Sequence, residues 1–193
     1  MPFNLSATLN VLRLFWEPTL VKPTLVLNDF NSLGNSLIPG TIIKAVVVDK
    51  DNCFALAYDD KVWHAYVDKW DQLRRQYPGD SLLIVSNSAG TNDDISYKEA
   101  KILEERTGVK VLRHSTKKPG CHKEIIHFFK SKGVISNSNE VAVIGDRLFT
   151  DVLMANMMGS HGIWLREGVK LSMSPICRFE RWLYDTFFKA KST

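Results

Sequence analysis

Asp49 and Asp51 stand two residues apart, directly after a β-branched apolar run at residues 42–48. Such a run reads as a strand of a parallel sheet, buried on both faces. A strand sends alternate side chains to the same side, so both carboxylates point into one mouth if extended geometry persists past the strand end. Two carboxylates in one mouth suit a metal ion, a shared proton, or a nucleophile beside an acid/base. On this segment alone, a polar turn closing a strand is the plain alternative. Three further polar clusters follow downstream. Ser86 and Asn87 close the apolar run 82–85, Lys117 and Lys118 precede Pro119 at a helix entrance, and Asp146 follows the run 141–144 and Gly145, with Asp151 five residues on.

The elements that would position these clusters alternate in type. Residues 64–77 predict a helix with Val67, Trp70, Leu73 and Tyr77 on one stripe. Asp93 and Asp94 open a second helix that runs to about Arg106, and residues 109–112 make a short strand. A third helix follows the lysine pair, with Ile125, Ile126, Phe128 and Phe129 as its apolar face; a helix over 150–158 and a strand over 162–165 come last. This order predicts an α/β fold, a doubly wound (Rossmann-like) parallel sheet with helices on both faces. The ligand crevice of such a sheet lies beyond the carboxyl ends of the strands, where all four clusters fall.

The chain of 193 residues can bury one core without staples. Cys53, Cys121 and Cys177 are odd in number and far apart, which speaks against a disulfide framework or a zinc ribbon and fits a reducing compartment. A net charge of +4 is a mild basic bias that does not by itself imply nucleic acid. No apolar run reaches the roughly 18 to 20 residues of a spanning helix. The two ends are the unusual regions. Leu5, Leu9, Leu12 and Trp16 recur at helical spacing, and residues 175–191 mix Phe179, Trp182, Phe187 and Phe188 with Arg178, Arg181, Lys189 and Lys191. Each end reads either as a helix packed on the domain or as an amphipathic helix at a bilayer. The N-terminal one shares its scarcity of acids with targeting sequences, though Arg13 is its one basic residue. The expected organisation is an amphipathic helix and lead-in over 1–40, a core over 41–170, and an aromatic, basic helix over 171–193.

Taken in order, the clusters Asp-x-Asp, Ser-Asn, Lys-Pro and Gly-Asp with a trailing Asp resemble the four motifs of the haloacid dehalogenase superfamily, across residues 42–165. The resemblance implies a phosphatase that forms an aspartyl phosphate. Asp49 would be the nucleophile, and Asp51 the group that protonates the leaving oxygen and then takes a proton from water. Ser86 and the Asn87 backbone N–H would hold phosphate oxygens, with Lys118 adding charge and Lys117 as the alternative lysine. Mg²⁺ would be held by Asp49, Asp146 and the Asp51 carbonyl. Asp151 would orient Asp146, a metal water or Lys118. Cys53 stands where many members have Thr or Val and reads as a small buried residue.

Members of the superfamily usually carry cap insertions after the first motif or between the second and third. Here those intervals hold little beyond one helix and a strand each. A capless mouth suits a substrate whose bulk stays outside: a phosphoprotein, a nucleic-acid end or a lipid head group. The motif-bearing segments further resemble the fungal mitochondrial phosphatidylglycerophosphatases. That likeness implies an anionic phospholipid substrate, phosphatidylglycerophosphate, on the way to cardiolipin. It also implies peripheral membrane contact at the matrix face of the inner membrane, with no nucleic-acid partner.

Overall fold

The computed structural model describes residues 17–189. The helix expected around Leu5 to Trp16 lies outside them. Six strands form one sheet: β1 (Leu25–Leu27), β2 (Ala45–Val48), β3 (Leu82–Ile84), β4 (Lys110–Val111), β5 (Val141–Gly145) and β6 (His161–Leu165). Their spatial order is β1-β6-β5-β2-β3-β4, and every pairing is parallel. The chain starts its doubly wound path at β2, moves outward through β3 and β4, then returns to lay β5 on the other side of β2. That reversal makes the gap between the ends of β2 and β5 the switch point of the sheet.

Among the described residues five α-helices flank the sheet: α1 (Val67–Gln76), α2 (Lys98–Thr107), α3 (His122–Ser131), α4 (Leu153–Met158) and α5 (Pro175–Phe187). The period-two alternation of β2 divides the core. Val46 and Val48 pack with Trp70 and Leu73 of α1 and Leu103 of α2, whereas Ala45 and Val47 pack with Ile125 and Phe129 of α3 and Met154 of α4. Each of the large side chains so buried contributes about 1.5–3 kcal/mol against exposure. Only α1, α2 and α3 bridge the successive strands from β2 to β5, so no inserted domain covers the mouth. Among the described residues no helix is long and apolar enough to cross a membrane.

Three local details depart from the pattern read in the sequence. Leu25–Leu27, part of the lead-in, forms an edge strand on β6. Its three half-buried residues, two positions after Pro23, are too few to show a period. The second helix begins at Lys98, because Ser96 and Tyr97 take left-handed backbone conformations. Asp94 reaches across this kink instead: Oδ1 accepts from Glu99 N, and Oδ2 from Ala100 N and Gly90 N. The fourth helix enters through a single π turn, Leu148–Val152, before α4.

Candidate active site

The turns after β2 and β5 bring three carboxylates together at the switch point. Oxygens of Asp49, Asp146 and Asp151 lie within 4.8 Å of one another. Asp49 is held by β-ladder geometry, its N–H donating to Ile144 O at 2.9 Å. Asp151 reaches the site from the π turn. Gly145 makes that approach possible, since a Cβ there would sit 2.3 Å from the Asp151 carboxyl carbon. Lys118 Nζ lies 2.6 Å from Asp49 Oδ1 and 2.6 Å from Asp151 Oδ1, with all three residues buried. Asp151 Oδ2 also accepts from Arg147 N at 3.1 Å.

One ammonium cannot balance three clustered carboxylates. Burial pushes Asp49 up to about 7 against the pull of Lys118, with Asp151 and Asp51 adding to the rise. Burial, then Asp49 and Asp151, push Asp146 well above its usual range. Burial alone would lower the Lys118 ammonium, but Asp151 and Asp49 together hold it up, so it stays charged. A pocket of hard oxygen donors short of positive charge fits a divalent cation.

The remaining predicted residues surround this cluster unequally. Ser86 is buried at the end of β3, its Oγ accepting from Ser88 N at 3.2 Å. Asn87 meets the lysine loop through its side chain, with Oδ1 accepting from Lys118 N at 2.7 Å. His114 pins the same two loops, its Nε2 2.9 Å from Ser86 O and its Nδ1 2.8 Å from Thr116 O. Lys117 points elsewhere and pairs with Asp93 at 2.6 Å. Asp51 lies outside the three-carboxylate cluster. Its Oδ1 accepts from Tyr58 N at 2.9 Å and pairs with Lys50 Nζ.

Two residues with no sequence signal support the acids. Asn52, in the left-handed conformation, donates from Nδ2 to Asp146 Oδ2 at 2.9 Å and accepts at Oδ1 from Lys170 N. Gly168 lets this contact close, because a Cβ there would lie 2.1 Å from Asn52 O. Glu180 of α5 is buried, accepting from Arg147 Nε at 3.0 Å and from Phe149 N at 2.9 Å. It thereby braces the turn between Asp146 and Asp151. Neither was visible beforehand, since Glu180 reads as one more charge on an amphipathic helix. Cys53 packs beneath, its thiol directed at Ile144 O at 3.7 Å; burial, with Asp49 adjacent, pushes that thiol well up.

A doubly wound parallel sheet, with acids at both strand ends of its switch point and an open mouth, defines a capless phosphatase fold of the haloacid dehalogenase type. The family described as mitochondrial PGP phosphatase matches residues 5–170, and the chain belongs to it. The chain is 56% identical over 182 residues to the mitochondrial phosphatidylglycerophosphatase GEP4 of Saccharomyces cerevisiae, covering 94% of this chain and 97% of that one. It is 34% identical over 143 residues to a probable mitochondrial phosphatidylglycerophosphatase of Schizosaccharomyces pombe, covering 74% and 68%. A chloroplastic/mitochondrial phosphatidylglycerophosphate phosphatase of Arabidopsis thaliana is 32% identical over 141 residues, covering 72% and 39%. No solved structure matches. The protein is an enzyme of this mitochondrial phosphatase family.

Proposed function

We propose that the enzyme removes the terminal phosphate of phosphatidylglycerophosphate, giving phosphatidylglycerol for cardiolipin synthesis, at the matrix face of the inner mitochondrial membrane. The observation that carries this reading is the cluster of buried Asp49 and Asp151 with half-buried Asp146, two of them held by Lys118, at the open mouth of a chain in this family. An Asp49 carboxylate oxygen attacks phosphorus, and the bond from phosphorus to the glycerol oxygen breaks. Asp51 gives that oxygen its proton. Water then attacks the phosphorus of the aspartyl phosphate, Asp51 takes the water's proton, and the bond to Asp49 breaks to release phosphate.

Lys118 holds Asp49 in register and neutralises charge on the phosphate oxygens. Ser86 and Asn87, at the end of β3, orient the same group. The Asp49 and Asp146 carboxylates and the Asp51 carbonyl would hold Mg²⁺, which when bound offsets the repulsion between carboxylate and phosphate. Asp151 acts through Lys118. The substrate's acyl chains stay outside the capless mouth, in peripheral contact with an anionic lipid surface.

Phosphate release from phosphatidylglycerophosphate, measured beside a panel of soluble phosphoesters, tests the reading. The lipid should be turned over fastest, and Asp49→Asn should lower that rate by at least about 10³-fold with the thermal midpoint retained. Near-parent turnover in Asp49→Asn would remove the nucleophile. Preference for a soluble phosphopeptide or oligonucleotide would remove the lipid substrate.

A further inference from the structure

Three of the four most exposed large apolar side chains follow the C-terminal ends of strands; the other, Ile42, precedes β2. Tyr58, Ile95 and Met173 are 87%, 84% and 67% exposed, and they stand in segments that leave the C-terminal ends of β2, β3 and β6. Helix α5 continues this rim beside the turn that carries Asp146. Its inner face buries Cys177 and Glu180, and Tyr184 meets the Trp164 ring at 5.1 Å. The outer face of a helix in water should be polar. Here it presents Phe179 and Trp182, 47% and 54% exposed, their rings stacked at 5.5 Å, with exposed Arg178 beside them and exposed Lys189 at the helix end.

We infer that the outer face of α5 is the surface by which the enzyme rests on anionic lipid. The choice of lipid as occupant rests on the phosphatidylglycerophosphate reading and on the charge of the face. Aromatic rings with basic neighbours match an interface whose outer layer is negative and whose inner layer is apolar. Each basic residue near such a surface adds to the attraction and makes it sensitive to salt. The inner face of the same helix holds the acidic turn through Glu180, and Phe149 of that turn packs on Phe179 at 6.0 Å. Docking surface and acidic turn therefore form one body, which sets the open mouth at head-group level without a flexible tether.

The test uses the full chain in co-sedimentation with phosphatidylcholine vesicles, with and without phosphatidylglycerol. The parent should bind the phosphatidylglycerol-containing vesicles and release them as salt rises. Trp182→Ser combined with Lys189→Glu should weaken binding at least about tenfold, with unchanged kcat/KM on a soluble phosphomonoester. Arg178→Glu, an exposed charge reversal, supplies the same reading should the double exchange lower the thermal midpoint. Parent-like binding by these variants overturns the inference, as does failure of the parent to bind. So does a light-scattering change showing that the exchanges break a contact between two copies while leaving vesicle binding intact. Hydrolysis of detergent-dispersed phosphatidylglycerophosphate separates the two proposals: the double variant should keep it. A parent that docks through the pair yet leaves this lipid uncleaved would retain the docking surface and lose the substrate.

Discussion

The two acid-bearing turns differ in what holds them. The turn after β2 is built largely from its own neighbours: Lys50 and Tyr58 N fix Asp51, and Ala55 N and Cys53 N return to Lys50 O. The turn after β5 is held from a distance, by Glu180 from α5, by Lys118 from the loop before α3, and by Trp164 Nε1 on Asp146 O. In the locally closed turn the backbone is fixed by near neighbours, and Lys118 reaches in to hold the Asp49 carboxylate, the proposed nucleophile. A turn that must place two carboxylates in a buried, repelling cluster needs opposite charge and rigid donors brought by the rest of the fold.

The largest effect that sharpens this contrast is removal of the cation. Chelation should stop turnover and added Mg²⁺ restore it, while Mg²⁺ should also raise the thermal midpoint of the parent. Loss of that rise in Asp146→Asn, read by calorimetry, ties the ion to the second turn; an unchanged rise would place it elsewhere. Lys118→Met comes next. It strands buried carboxylates from both turns, so activity should fall by about 10²- to 10³-fold and stability by about 3–5 kcal/mol in denaturant melts. Restored stability without restored activity in the double variant with Asp151→Asn would separate the two effects.

Glu180→Gln should have an intermediate effect. With Arg147 left without its buried countercharge, kcat should drop about tenfold or more with KM little changed, and Mg²⁺ affinity should weaken. Glu180→Asp should recover part of the loss. The smallest change is expected for Asn52→Ala, which removes one donor to Asp146. About a tenfold rise in the Mg²⁺ requirement, with near-parent stability, would mark Asn52 as a positioning residue. A larger loss in Asn52→Ala than in Glu180→Gln would reverse the comparison.

Legibility in the sequence follows the same division. Asp49, Ser86, Lys118, Asp146 and Asp151 stood out because each ends an apolar run or opens a helix, and the alternation of runs fixed their end of the sheet. The helix stripe of Trp70 and Leu73 was equally plain, since 3.6-residue spacing is local. Glu180 lies 33 residues from Arg147, and only the folded chain joins them. Asn52 depends on a left-handed backbone and on Gly168, features that composition does not announce. Asp94 was visible as a helix opener, but the left-handed Ser96 and Tyr97 that shift the start to Lys98 were not, because neither residue type demands that conformation.

Cys53, packed beneath the acidic cluster, carries a consequence for oxidative chemistry. Peroxide attacks thiolates, and burial holds the Cys53 thiol well up and that of Cys121 at about 12, so both remain protonated. Cys177 is also buried and unpaired as a disulfide. Phosphoryl transfer through the Asp49 carboxylate, as proposed, would call on no sulfur nucleophile. Neither Cys53 nor Cys121 therefore offers peroxide a thiolate beside the acidic cluster, and peroxide treatment should leave both thiols unmodified in the folded enzyme.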